Sequence, residues 1–355
     1  MKAFKIANKE IGKGYPCCIV FEAGPTHDGI ETALKLVKIA ATAGADAIKF
    51  QILDSERLMG KKDVEISYKV LKNRQTGETE VLTEPLVKTL KRRELSREEW
   101  RRVKGYCNEL GITYFATVDY PEMVDFVMEL GCHAIKICSG DVINHSIIRY
   151  AARTGLPVMI DTGSSTIGEI EKAVEVIEEE GNEKIIIHHC PSGYPARLES
   201  INLNIITTLK QMFEYPIAFS DHTPGWDMDI AAVALGVCMV EKTLTLDRTT
   251  RSCEHIMSIE PHEAKTFVRA IRDLEVAMGT SRRIMTGEEA KQKLKARRSV
   301  FAKTFIPKGT VLREENVDYR RPGDGIRVDE SPYVLGRIVR RDIQSGEMIT
   351  WQDLD

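Results

Sequence analysis

Aromatic residues are scarce, at 6% of the chain, and no stretch approaches the roughly 18 to 20 consecutive apolar residues that span a bilayer. A membrane-spanning helix is not expected. The first residues, MKAFKIANKEIGKGYPCCIV, lack the apolar core of a signal peptide, so a cytoplasmic location is expected. An excess of charge of one sign is missing as well. Lys and Arg number 50 against 53 Asp and Glu, a formal net charge of −3, which leaves no electrostatic footprint for nucleic acid. Small soluble molecules are therefore the expected partners, with no nucleic acid and no membrane. CxxC pairs are absent too. The eight cysteines, at 17, 18, 107, 132, 138, 190, 238 and 253, show no zinc-type spacing, and several sit in apolar runs such as CCIVF, IKIC and VCMV. They are read as reduced thiols packing as small hydrophobes, with Cys190 singled out because it closes a strand.

What the chain does contain is repetition. Its 355 residues allow one large domain and a small one. Eight short apolar, β-branched runs recur: Cys18 to Glu22, Ala47 to Gln51, Thr113 to Thr117, Ala134 to Cys138, Pro157 to Asp161, Lys184 to His188, Pro216 to Ser220 and Val237 to Glu241. Between them lie amphipathic segments such as GIETALKLVKIAATAGA and SREEWRRVKGYCNELG, several ending in a helix-terminating Gly. Eight strand–helix units predict an α/β fold, a (β/α)8 TIM barrel, where a doubly wound sheet would more often offer fewer strands.

Such barrels carry chemistry at the C-terminal ends of their strands. Every predicted end here is polar: Glu22, Lys49 with Gln51, Thr117 with Asp119, Lys136 with Ser139 and Asp141, Asp161, His188 with His189, Ser220 with His222, and Glu241 with Lys242. Two of these residues are lysines inside apolar strands, AIKFQ and AIKIC, and a buried ammonium needs an anion. The anion could be a ligand phosphate or a barrel carboxylate. A strand lysine such as Lys136 or Lys242 could instead form a Schiff base, as in aldolases.

The motifs EAGPTHDG (22–29), AGADAIKFQ (43–51), ELSREEW (94–100), KICSGD (136–141), HCPSGYP (189–195), FSDHTPG (219–225), EKTLTLD (241–247) and RPGDGI (321–326) occur in one order and spacing. Together they resemble the N-acetylneuraminate (sialic acid) synthase family, whose members add phosphoenolpyruvate to an N-acylated hexosamine. The resemblance implies a transferase that forms a C–C bond, giving a sialic-acid-like nonulosonic acid and phosphate. It implies that Lys49, Lys136, Ser139, Ser192 and Ser220 hold phosphoenolpyruvate. By the same resemblance Glu22, Gln51, Asp141, Tyr194 and Glu254 handle the sugar and its aldehyde. Glu22, Lys49, Lys136, Asp141 and His222 form the implied catalytic set. A legionaminic-acid or spore-coat-type synthase is the alternative within the family. A Schiff-base aldolase and a sugar- or ice-binding protein acting through the tail are the alternatives outside it.

Two departures from the family pattern fall in the expected pocket. The family binds a divalent metal, manganese or magnesium, through two histidines; His222 matches the first, but Thr243 replaces the second. Thr is a poor ligand for such an ion, so His189 or His255, or Glu254, is expected to stand in. Asp161 replaces a family Ser, and an extra carboxylate would repel phosphate unless paired.

Composition shifts after residue 281, giving an expected barrel over 1–281, a basic linker or tethering helix over 282–298, and a β-rich unit over 299–355. The last resembles the antifreeze-like, or SAF, domain of sialic acid synthases. That resemblance implies a domain-swapped homodimer in which Arg321 reaches the sugar in the neighbouring subunit. The segment 55–94 has no clear reading; a lid and a solvated charged loop are both open.

Overall fold

The computed structural model describes residues 2–355 and divides into two compact units, one running through Gly279 and the other from Thr280 to Asp355. In the first, eight parallel strands close into a barrel in chain order. They are β1 (Cys18–Glu22), β2 (Ala47–Ile52), β3 (Thr113–Val118), β4 (Ile135–Ile137), β5 (Val158–Asp161), β6 (Ile185–His189), β7 (Ile217–Asp221) and β8 (Met239–Thr243). All eight expected strands are present within two residues at either end. The largest shift is in β8, which runs on to Thr243 because that residue pairs with Glu22 of β1 as the barrel closes.

Helices follow the strands as the amphipathic segments predict. Arg97–Leu110 starts at a reciprocal cap between Ser96 and Glu99, and Ile167–Glu179 at one between Thr166 and Glu169. Ile30–Ala43 stops at Gly44, whose φ of 84° is a left-handed conformation that a side chain would strain. The helices bury their apolar faces on the outward residues of the strands, such as Ile19, Phe21, Ile48, Ile187 and Phe219. Inward residues form a second, smaller core, which Ile6 and Ile11 of an N-terminal hairpin join.

The segment 55–94 is a built element. Glu65–Leu71 pairs antiparallel with Thr79–Pro85, followed by a short helix, Leu86–Lys91. Tyr68 and Val70 of this hairpin pack with Cys253. At its tip Arg74 reaches Glu260 with two bonds (2.7 and 2.6 Å) and Asp247 with one (2.6 Å). The hairpin is thus fastened to the loops after β8.

The second unit begins with a helix, Gly287–Ala296, that buries no residue. An antiparallel pair, Ser299–Ala302 with Val317–Arg320, then leads into a small core that includes Val300, Leu312, Ile343 and Ile349. Among the described residues no helix is long and apolar enough to cross a membrane. All eight cysteines are free, as their spacing predicts.

Candidate active site

The period of two along a strand organises the barrel interior into rings. One ring is apolar: Val20, Ala47, Phe115, Ala134, Met159, Ile186, Ala218 and Met239. Two residues further along each strand, the next ring reads Glu22, Lys49, Thr117, Lys136, Asp161, His188, Ser220 and Glu241, all of them buried. A dry floor therefore carries a layer made wholly of polar groups at the C-terminal end of the barrel. Above it opens a cavity of about 320 Å³.

The polar layer is a connected network. Glu241 places one carboxylate oxygen 2.9 Å from Lys49 Nζ and the other 3.0 Å from Lys136 Nζ. Lys49 also pairs with Glu22 and donates to Thr117 Oγ1 at 3.2 Å. Lys136, fully buried, meets Asp161 at 2.9 Å and Ser220 Oγ at 3.4 Å. Ser220 Oγ in turn donates to Asp161 at 3.0 Å and contacts His188 Nδ1 at 2.9 Å. Asp161 is therefore paired, which removes the expected repulsion of phosphate at its source.

Two ammonium groups face three carboxylates, so one carboxyl must yield. Burial resists ionisation of Glu241, but Lys136 and Lys49 outweigh it and hold the group well below the usual range. Glu22 goes the other way: burial, with Glu241 nearby and only Lys49 opposing, lifts its carboxyl to about 7. Near neutral pH the Glu22 carboxyl is therefore only partly ionised. Burial and Lys136 push His188 down to about 3, so its ring is neutral.

Next to Lys136, Ser139 and Ser192 flank Gly163. A methyl group at Gly163 would lie 2.6 Å from Ser139 Oγ, 3.0 Å from the Cys190 carbonyl and 3.1 Å from Ser192 Oγ, so only glycine fits there; Ser139 lines the cavity, whereas Ser192 does not and shares a hydrogen bond with Ser164 at 2.9 Å. Cys190 lines the cavity nearby, its thiol pushed well above the ordinary range by burial, which makes it inert packing rather than a nucleophile. Asp141 lies behind the cavity wall, accepting from Asn144 at 3.0 Å. Asp119 lines the cavity instead, its carboxyl lifted to about 7 by burial and then by Asp141.

Gln51, Tyr194, His222, Thr243 and Glu254 line the cavity as well. Leu58, Ile66, Leu86, Leu90 and Arg93 from the 55–94 segment complete it, so the hairpin is a fixed wall of the pocket. These residues escaped sequence reading, although the alternation Ile66, Tyr68, Val70 is a strand signal. Arg321 lies exposed in the second unit.

The donor set for a metal is poorer than expected. His222 lines the cavity with Nδ1 turned 2.9 Å from the Pro191 carbonyl. Neither expected second histidine stands beside it. His189 follows the inward-facing His188, so it points out of the barrel, where Nε2 meets the Ile201 carbonyl at 2.6 Å. His255 contacts Thr245 Oγ1 at 2.7 Å and lines a different cavity. Asp119, Cys138 and Asp141 bring ligand atoms within 4.8 Å of one another, but His222 is not among them and burial lifts the Cys138 thiol to about 12. The residues around His222 do not assemble a two-histidine metal site.

Fold and site together are those of a (β/α)8-barrel enzyme with a buried layer of paired lysines and carboxylates at its strand ends. Residues 36–283 match the NeuB family and residues 297–355 the SAF domain. The chain belongs to the NeuB family. It is 37% identical to an uncharacterized protein of Methanocaldococcus jannaschii over 355 residues, covering 100% of this chain and 99% of that one. It is 30% identical to the N,N'-diacetyllegionaminic acid synthase of Legionella pneumophila, covering 98% of this chain and 97% of that one. The crystal structure of the N-acetylneuraminic acid synthetase of Leptospira borgpetersenii superposes with a TM-score of 0.71 at 30% identity, covering 82% of this chain and 95% of that one.

Proposed function

We propose that this enzyme condenses phosphoenolpyruvate with the aldehyde of an N-acylated hexosamine, giving a nonulosonic acid and inorganic phosphate. The observation that carries the reading is the pair of buried lysines, Lys49 and Lys136, joined through Glu241 at the floor of the cavity that Lys49, Ser139 and Glu241 line. An incoming phosphate and carboxylate compete with Glu22, Glu241 and Asp161 for these ammonium groups, and Glu22 takes up a proton to relieve the added negative charge. C3 of the enol then attacks the aldehyde carbon, forming the C–C bond while the aldehyde oxygen gains a proton. Water adds at C2, and the C2–O bond breaks to release phosphate and leave a 2-keto acid. Glu22, buried in the polar layer, and Gln51, half-buried, face the aldehyde in this reading, with Tyr194 and Glu254 along the sugar.

No step is routed through a metal, because neither His189 nor His255 stands beside His222 to supply the missing second histidine. Arg321 of a second copy completes the acceptor site in the homodimer implied by the resemblance. Within the acceptor class, the legionaminic acid synthase relative favours a 2,4-diacetamido sugar. A Schiff-base mechanism is disfavoured, since Lys136 is clamped by two carboxylates and Lys242 by Asp221 with Asp229 at 3.6 Å, whereas imine formation needs a free amine.

The test is a phosphate-release assay with phosphoenolpyruvate and a panel of 2-acetamido and 2,4-diacetamido hexoses, each with added metal and with chelator. Release that depends on the aldehyde and survives chelation is expected. Release that is indifferent to the sugar, or reductive trapping of pyruvate on Lys136 by borohydride, would overturn the reading.

A further inference from the structure

Condensation leaves one proton without a donor, since the aldehyde oxygen must be protonated as the C–C bond forms. Two residues beyond the lysine layer, the strand period of two sets a further ring: Asp119 with Gln51, His222, Thr243, two cysteines and two glycines. Asp119 is the one carboxyl in that ring. It stands one residue past the end of β3, half-buried, and lines the cavity. Thr117, two residues before it, pairs with Gln51 across β2 and β3. Asp119 therefore rises on the strand next to Gln51, the residue read as facing the aldehyde.

Six carboxyls line the cavity, and four of them are occupied. Glu241 and Asp161 hold Lys136, and Asp221 holds Lys242. Glu22 has one oxygen on Lys49, and the other accepts from the Gly24 N–H at 2.6 Å. Glu254 and Asp119 remain, neither with a cation or a hydrogen-bond donor on its carboxyl among the described residues. Glu254 belongs to the loop after β8, where it is the leading cause that pushes the Tyr194 hydroxyl up, so it stands with the sugar-side groups. Asp119 neighbours Asp141 instead, with oxygens of the two within 4.8 Å of each other. Asp141 has a donor for each oxygen, Asn144 at 3.0 Å and the Cys138 thiol at 3.6 Å. Asp119 has none, so of this close pair it is the acid free to turn an O–H into the cavity. Burial and then Asp141 lift its carboxyl to about 7, which keeps that proton available near neutral pH.

We propose that Asp119 is the general acid that protonates the aldehyde oxygen, an assignment that rests on the condensation reading. As the enol π pair forms the bond from C3 to the aldehyde carbon, the carbonyl π pair takes the Asp119 proton. A hydroxyl is left on the sugar chain and a carboxylate on Asp119. Water then adds at C2 and returns one proton to Asp119, and its second proton leaves with phosphate when the C2–O bond breaks. The experiment follows phosphoenolpyruvate consumption with a 2-acetamido and a 2,4-diacetamido hexose in the full-length wild type, Asp119→Asn and Asp119→Ala. Asp119→Asn should lower kcat by about a hundredfold or more while the KM for phosphoenolpyruvate stays within about twofold. Asp119→Ala should be as slow, and added formate buffer should restore its kcat about tenfold while leaving Asp119→Asn unchanged, because only the alanine variant has room for a small acid. Three results on an active wild type would overturn the assignment and leave the condensation reading standing: an unchanged kcat in Asp119→Asn, a loss that falls on the KM for phosphoenolpyruvate, or a slow Asp119→Ala that formate does not restore. A wild type that consumes no phosphoenolpyruvate with either aldehyde would overturn that reading and the general acid with it.

Discussion

Glu241 closes a circuit that no single strand displays. It stands on β8, yet its two oxygens serve lysines from β2 and β4, which meet only because the barrel brings their C-terminal ends together. Sequence reading identified both lysines and the need for an anion. It could not see that three internal carboxylates already supply it, since that depends on which strands face one another. Lys136→Met leaves Glu241 and Asp161 short of a counter-charge in a dry layer, so chemical denaturation should show a loss of about 3 to 5 kcal/mol. Adding Asp161→Ser should return part of it, a coupling readable in a double-mutant cycle. Glu22 adds a pH signature. Its carboxyl sits near 7 when folded against an ordinary 4.5, so the native state binds more protons over that interval. The stabilisation is complete below about 4.5 and is lost as pH rises through 7. Melting curves of Glu22→Gln should gain on the wild type from pH 5 to pH 8, and calorimetry at pH 7.5 should show proton uptake on phosphoenolpyruvate binding that the variant lacks.

The strands were legible because β-branched runs of five residues bounded by helix stops have few other readings, and their polar ends announced the site. The hairpin within 55–94 was not legible in the same way. Its outer face is charged, as in KNRQTGETE, and its inner face earns meaning only against Cys253, nearly two hundred residues on. Arg93 was hidden for the same reason: in KRRELS it reads as one more surface charge. Arg74 is the fastening, and Arg74→Ala should free the hairpin tip, raising the acceptor KM severalfold and exposing residues near Gly77 to limited proteolysis while leaving the KM for phosphoenolpyruvate within about twofold. Gly163 makes the opposite split. Gly163→Ala places a methyl against Ser139 and Ser192, so it should raise the KM for phosphoenolpyruvate by about tenfold or more with the acceptor KM little changed.

At the scale of the whole molecule, the small second unit has its own core and an exposed Arg321, and the proposed role of that arginine requires a second copy. Mixing inactive Lys136→Met with Arg321→Ala should then restore part of the wild-type activity, because one shared site in the mixed dimer keeps both residues. The central claim, that the lysine layer joins phosphoenolpyruvate to an aldehyde with C–O cleavage, is reached most directly by phosphoenolpyruvate carrying heavy oxygen in its bridging position. The label should leave entirely in inorganic phosphate, in step with formation of a 2-keto acid and only when an aldehyde sugar is present. Label retained in a keto product, or phosphate released at the same rate without any sugar, would contradict it.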